Sequence, residues 1–322
     1  MKSPKVTVLI TVRNNTNTVK QCIDSVLKQT YRNYEVMVVD AYSDDGTFET
    51  LKKFEKKIKL YQVRGWAPKA YNWAIKRIKS DFVAFTDADC VVDKNWLKEL
   101  LKGFESEDIL AVAGYCGSPK GARGLQKIIG IELEDRFKHF SKFIPRAPTM
   151  NLCVRIKALK ELGFNEKLKV AFETDFGYRL NEIGKMVYNK NAVIHHYHRS
   201  TWIGFFKQQY TYAKYLPELY FKKHFKRISG DYISKSSMAA QIIFSYTLVL
   251  GMILNFINSN FILISLASAI IIILIFINDI IRLARGWSDA IWFFFMFFTR
   301  ITAWFIGLSI GLMIYLANMH GK

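Results

Sequence analysis

Cysteine is scarce in this chain and follows no pattern. Cys22, Cys90, Cys116 and Cys153 are scattered through 322 residues without metal-ligand spacing. That argues against a cysteine-built zinc site and for reduced thiols in a core. Lys2, Pro4 and Lys5 lead straight into an apolar strand, so no secretory signal is expected. Internal repeats and low-complexity tracts are lacking too. Acidic residues are outnumbered: 27 Asp and Glu against 46 Lys and Arg leave a formal net charge of +19. Such a balance asks for an anionic partner, yet no helix-turn-helix, zinc finger or aromatic-basic strand motif points to nucleic acid. An anionic membrane leaflet and phosphorylated substrates account for it better. Glutamine is sparse while lysine and isoleucine abound, a composition associated with heat-adapted proteins.

The longest absence is of charge itself. No Asp, Glu, Lys or Arg occurs from Ser236 to Asn278, a run too long for one membrane span and too apolar for a soluble core. The polar break from Asn255 to Asn260 predicts spans over 238–257 and 260–280. A third is predicted over 290–317, with an alternative in which Ser288 to Thr299 lie in the interface and 300–317 form a short span. Arg282 and Arg285 fall on the same side as Lys222, Lys223, Lys226 and Arg227, which the positive-inside rule places in the cytosol. The odd span count would put the C-terminus outside. Between 201 and 235, aromatic residues (Trp202, Phe205, Phe206, Tyr210, Tyr212, Tyr215) mix with Lys and Gln, as in amphipathic helices at a membrane interface. Arg300 is the one cation inside its apolar run. A mid-membrane arginine costs roughly 2.5–3.5 kcal/mol, so it is expected to meet a lipid phosphate or to snorkel to the interface.

Residues 1–200 read as an α/β domain. Apolar strands at Lys5–Val12, Tyr34–Val39, Ile58–Val63 and Phe82–Phe85 alternate with helices near 16–29, after the Ser43–Thr47 turn, and near 70–79. Short loops between such elements imply a parallel, doubly wound sheet with ligands beyond the strand ends. Arg13, Asp40, Gly65, Lys69, Asp87 and Asp89 all fall at those ends. Further on come a helix near 125–140, a strand opening at Thr149-Met150-Asn151, a helical stretch holding Glu173 and Asp175, and a strand ending in His195, His196 and His198. Taken singly, each residue has an ordinary reading. Asp40 caps a turn, Lys69 is a solvated helix start, Glu173 and Asp175 are helix acids, and the histidines pack without the cysteine partners zinc would need.

The sequence Asp87-Ala88-Asp89 after a buried strand is different in combination. Two carboxylates one residue apart can share one hard divalent cation, and that cation can offset the charge of a diphosphate.

These motifs resemble the inverting family 2 glycosyltransferases of the GT-A fold and, more loosely, their membrane-bound members, including cellulose-synthase-like enzymes and those acting on polyprenyl-phosphate-linked sugars. The resemblance covers residues 5–215 by motif and the rest by its pattern of spans. It implies a cytosolic GT-A domain over 1–200, interface helices over 201–235 and a transmembrane domain over 236–322. It assigns Thr11, Arg13, Asn14, Asp40, Lys69 and Asp87 to the nucleotide. Asp87, Asp89 and His196 would hold Mn2+ or Mg2+. The base would be Glu173, six positions before Arg179, with Asp175 as its rival, because most relatives carry Asp at the first position. Thr149 and Asn151 would line the acceptor side. Gln208 and Tyr212 stand where processive synthases carry Gln-x-x-Arg-Trp, but Thr211 and Tyr212 replace the Arg and Trp, which favours single-sugar transfer.

The implied partners are a GDP- or UDP-linked sugar, a dolichyl- or polyprenyl-linked acceptor and the membrane, in glycan or N-glycan precursor or polysaccharide synthesis. A polyprenyl-phosphate sugar synthase and a processive synthase are the rivals within the class. An inactive nucleotide-sugar-binding scaffold is the rival outside it.

Overall fold

A computed structural model describes residues 3–221 and 235–320. The basic residues Lys222, Lys223, Lys226 and Arg227 lie outside the described residues. The chain forms two compact units, Met1–Gly121 with Lys138–His198, and Ala122–Phe137 with Arg199–Lys322. The contiguous first domain expected over 1–200 is thus interrupted by one helix that belongs to the second unit.

The first unit is a mixed α/β layer. Its elements run β1 (Val6–Val12), α1 (Val19–Val26), β2 (Tyr34–Asp40), α2 (Thr47–Lys52), β3 (Lys59–Gln62), α3 (Ala67–Ile75), β4 (Phe82–Phe85), β5 (Cys90–Val92), α4 (Trp96–Lys102) and β6 (Ile109–Gly117). After the excursion of α5 (Gly124–Lys138) come β7 (Leu152–Arg155), α6 (Ile156–Leu162), α7 (Phe172–Ile183) and β8 (Lys185–His196). The sheet order is β3-β2-β1-β4-β7-β6-β8-β5. β1 through β4 pair in parallel. β7 enters antiparallel between β4 and β6, and β8 runs parallel to β6. Strands β1, β4 and β6 are buried almost throughout, reading as largely apolar runs without in-out alternation, as a sheet covered on both faces requires.

The topology decides what meets at one edge. The C-terminal ends of β1, β2, β4, β6 and β8 share an edge, and the reversed β7 brings its N-terminal end there. Thr149–Asn151, a 3-10 turn just before β7, therefore joins the edge that carries Thr11, Asp40, Asp87 and His196.

The second unit consists of α5, α8 (Trp202–Leu219), α9 (Ser236–Leu254), α10 (Ile262–Leu283) and α11 (Trp287–His320). Three stretches, Ser236–Leu254, Ser259–Leu283 and Trp287–Asn318, are long and apolar enough to cross a membrane. α11 is one uninterrupted helix of 34 residues, about 51 Å at about 1.5 Å per residue, so the alternative with a break near 300 does not hold. Phe256, Ile257 and Ile281 stand out as highly exposed, the pattern of a lipid-facing surface.

Two glycines on α11, Gly307 and Gly311, let α8 approach. A Cβ at either would lie 2.4 Å from the Tyr210 carbonyl oxygen or 2.2 Å from that of Lys214, the close-contact logic of small residues four apart. α5 presents Leu125 and Ile128 to Phe293, Phe297 and Ile301, and three ions beside them. Lys127 pairs with Asp289 at 2.6 Å, and Asp135 with Lys235 at 3.0 Å and with Arg282. One guanidinium nitrogen of Arg300 donates to both oxygens of Glu132, at 2.7 and 2.8 Å. The rings of Phe297 and Trp304 lie 4.9 and 5.1 Å from the same guanidinium. Arg300, expected to meet a lipid phosphate, has a carboxylate of its own chain instead.

Candidate active site

The first two loops of the shared edge are latched together. Beyond Val12, Asn14 adopts a left-handed backbone (φ 53°), which Asn tolerates better than most residues. Its N–H donates to Ser43 Oγ at 2.9 Å, and its side chain exchanges hydrogen bonds with Asp44, 2.7 and 3.1 Å. Asn15 N–H reaches Thr47 Oγ1 at 2.7 Å. Asp40 is fully buried and accepts from Ser43 N–H (3.1 Å), the Ser43 hydroxyl and Gln62 Nε2 (2.9 Å). The ordinary reading of Asp40 as a turn cap is therefore realised, and any nucleotide role has to be played through this network. Arg13 is exposed. Exposed Lys69 sits in the first turn of α3 with its alkyl chain against Gly65.

The acidic loop follows β4. Asp87 O accepts from Cys90 N–H at 3.0 Å, closing the loop into a turn that leaves both carboxylates half-buried. Asp89 Oδ1 lies 3.3 Å from His196 Nε2, because β5 pairs antiparallel with the end of β8. A carboxylate oxygen of Asp89, Sγ of Cys90 and a ring nitrogen of His196 all fall within 4.8 Å of one another. Divalent ions bind O, N and S donors at about 2.0–2.6 Å, so that spread fits one ion. Asp87 is not in this group, so the sequence motif's second carboxylate stands beside the cluster and not within it. His198, 4.6 Å from His196 and edge-on to it, is driven down to about 3 by burial and by its neighbour His196, and so is a neutral packing partner.

Glu173 and Asp175 occupy the first turn of α7 and have opposite circumstances. Asp175 is fully buried and receives Arg179 Nε at 2.8 Å, one helical turn on. Arg179 in turn donates to the carbonyls of Leu162 and Gly163, both at 2.8 Å, so this pair anchors α7. Glu173 has no such anchor: among the described residues its Oε2 is buried without a hydrogen-bond partner. Burial pushes its carboxyl above the ordinary value, against the pull of a backbone N–H and of Arg146. Arg146 itself donates to Thr174 Oγ1 at 3.0 Å. Gly177 allows the approach, since a Cβ there would fall 2.7 Å from Arg146 Cα.

Tyr71 on α3 links these parts. Its buried hydroxyl is hydrogen-bonded by Thr11 and Thr149, and its pKa is raised by burial, then by the Asp87 carboxylate and, more weakly, by Glu173. Sequence reasoning missed it, because a tyrosine at a buried helix position reads as core. Its neighbour Asn72 clamps α3 to the loop before α7 through Phe164 O (2.8 Å) and Glu166 (2.9 Å).

Two expectations change character. Asn151, expected on the acceptor side, accepts from Trp96 Nε1 at 2.8 Å and donates to the carbonyls of Tyr115 and Ala192, both at 2.8 Å. With those partners and 1% exposure it is a pin inside the sheet, whereas Thr149 reaches the site through Tyr71. Gln208 and Tyr212 lie on α8, which belongs to the second unit.

Comparison with known proteins agrees with this geometry. Residues 7–160 match Glycosyl transferase family 2. An uncharacterised glycosyltransferase of Rickettsia typhi is 24% identical over 201 residues, 60% of this chain and 63% of its own length. The glycosyltransferase AglE of Haloferax volcanii is 26% identical over 172 residues, 50% of this chain and 55% of its own. The chain therefore spans less than two thirds of these relatives. Among solved structures, a mannosyltransferase of Pyrobaculum calidifontis in complex with GDP-mannose and Mn2+ superposes with a TM-score of 0.58 at 16% identity, covering 99% of this chain and 88% of that one. That likeness speaks for the fold. With sheet, acidic loop and relatives in agreement, residues 7–160 form a Glycosyl transferase family 2 domain.

Proposed function

We propose that the protein is an inverting, metal-dependent glycosyltransferase. In this reading it moves a hexose from a nucleoside-diphosphate sugar to a lipid-linked acceptor at the cytosolic membrane face. The acceptor hydroxyl attacks the anomeric carbon as the bond to the diphosphate breaks. Its proton passes to Glu173, and the nucleoside diphosphate departs with the bonding pair. Single displacement from the opposite face inverts the anomeric centre. A divalent ion at Asp89 and His196, with Asp87 alongside, would offset the charge that develops on the diphosphate.

The remaining work falls to the chain's own groups. Lys69 and the N-terminus of α3 suit phosphate oxygens. Thr11, Asn14 and the Asp40 network suit the nucleoside, and Tyr71 holds Thr11 and Thr149 in register between donor and acceptor. The three helices long and apolar enough to cross a membrane suit an acceptor carried on a lipid, and Arg282 and Arg285 support a cytosolic catalytic domain.

The observation that carries this reading is Glu173: a carboxyl with a raised pKa and an unpartnered buried oxygen, on the same constellation as Asp87. A general base works best when its pKa approaches the working pH, and burial moves Glu173 that way. The test is nucleoside diphosphate release by the purified full chain with Mn2+ and a polyprenyl-linked acceptor. GDP-mannose comes first, because the Pyrobaculum structure holds it, followed by UDP-glucose and UDP-GlcNAc. Acceptor-dependent release that disappears in Asp89→Ala is expected; equal release by that variant would refute the reading.

A further inference from the structure

The donors around Asp89 are not those that two aspartates on a loop would offer. Cys90 opens β5, and the antiparallel register sets it directly opposite His196. Opposed residues of an antiparallel pair put their Cβ atoms about 4.5–5.5 Å apart on one face. Backbone pairing thus holds a thiol and an imidazole side by side. Asp89 lies 4.0 Å from the sulfur and 3.3 Å from the ring nitrogen. Cys90 is 1% exposed, so its sulfur belongs to a built site and not to the surface. The other thiols nearby have different contacts: Cys22 Sγ lies 3.3 Å from Asp87 O, and Cys116 Sγ lies 3.9 Å from Gly117 O.

Mg2+ favours carboxylate, carbonyl and water, whereas thiolate and imidazole favour later transition metals and zinc. We propose that Cys90 is a sulfur ligand of this site. The protein then binds a thiophilic divalent ion such as Co2+, Zn2+ or Cd2+ through Asp89, Cys90 and His196, more tightly than Mg2+. The inference rests on the metal-dependent reading above and names the class of metal. On binding, the S–H bond breaks, the sulfur keeps the electron pair and donates it to the ion, and the proton leaves to solvent; nothing is oxidised or reduced.

The test uses the full chain in detergent with GDP or UDP, titrated with Co2+, Cd2+ and Mg2+. Wild-type protein is expected to show a sulfur-to-cobalt charge-transfer band and to release one proton per ion, with Cd2+ displacing Co2+ far more readily than Mg2+ does. Cys90→Ser should abolish the band and weaken Cd2+ binding by at least the roughly 10–100-fold that lost partners cost metal sites. Mg2+ affinity should change much less, and Cys22→Ser should keep the band. Wild-type protein that binds Co2+ without the band, while Asp89→Ala loses binding, overturns sulfur ligation and leaves metal dependence standing. Wild-type protein that binds none of these ions defeats the metal-dependent reading and this inference with it. Should Cys90→Ser fail to fold, the wild-type band decides alone.

Discussion

Replacing Glu132 with alanine removes the carboxylate that neutralises Arg300 among the apolar helices. Burial opposes ionisation of Glu132, but the Arg300 and Arg136 guanidiniums outweigh it and hold the carboxyl at about 2, against an ordinary 4.5. That difference corresponds to about 3 kcal/mol favouring the ionised form in the folded chain. The figure agrees with the roughly 3–5 kcal/mol that follows when one member of a buried pair is removed and the other is left uncompensated. The side chains are 3% and 10% exposed for Arg300 and Glu132, so solvent screening reduces it little. Glu132→Ala should therefore lose about 3–4 kcal/mol at pH 7, read by urea unfolding in detergent followed by tryptophan fluorescence. A carboxyl depressed on folding stabilises above its unfolded value, and this contribution fades as pH falls from about 4.5 toward 2. Wild type and variant should accordingly converge in acid. Replacing both residues with leucine should recover most of the loss, since apolar substitutes for a buried pair are often neutral. A loss under about 1 kcal/mol, or a double variant as unstable as the two single ones summed, would refute the reasoning.

Asp175→Asn should lower the melting temperature by breaking the pair with Arg179. Glu173→Gln should lower turnover by about 10²–10⁴ with nucleoside diphosphate affinity intact and melting temperature unchanged or raised. Because burial raises the Glu173 carboxyl, kcat/KM should climb with pH above 4.5 as the base ionises, and Glu173's contribution to stability should be lost over that same rise; a flat profile there removes Glu173 from proton transfer. Tyr71→Phe leaves the Thr11 and Thr149 hydroxyls without their shared partner, so a loss of about 0.5–1.5 kcal/mol is expected. KM for donor and acceptor should both rise; a change in neither would deny Tyr71 its positioning role. Gly177→Ala should cost about 1–3 kcal/mol by overpacking against Arg146, measured by thermal unfolding.

The periodic parts of this architecture were legible in the sequence. β1, β2 and β4 announce themselves as buried runs, and the charge-free stretch gives α9 and α10 to within a few residues. What local pattern cannot supply is pairing between distant segments. β5 is three residues long, too short to show periodicity, yet its register against β8 makes neighbours of Cys90 and His196. The cysteine spacing that argued against a metal site was spacing along the chain, whereas the relevant proximity runs across strands. Asn151 shows a related gap: the resemblance puts it on the acceptor side, and only the closed sheet reveals its three internal partners. Arg300 was expected at a lipid phosphate or at the interface, but its partner Glu132 sits 168 positions away on a helix with no motif of its own.

The two acids of α7 differ in their surroundings, which is the ground for assigning the base to Glu173 in the proposed reading. Residues two apart on a helix project about 200° apart, so Glu173 and Asp175 cannot serve one partner. The i,i+4 relation gives Asp175 to Arg179, and that pair is then committed to the carbonyls ending α6. Asp175 is thereby occupied in holding the helix, and a base tied up in that way would have to break its anchor each turnover. Glu173 faces away from that anchor with a desolvated carboxyl and an open oxygen, a state unfavourable for folding and useful for taking a proton. Chains commonly retain such local costs where the chemistry needs them. On the proposed reading the anchor and the reactive group are separate residues, and a loss at one need not be read as a loss at the other.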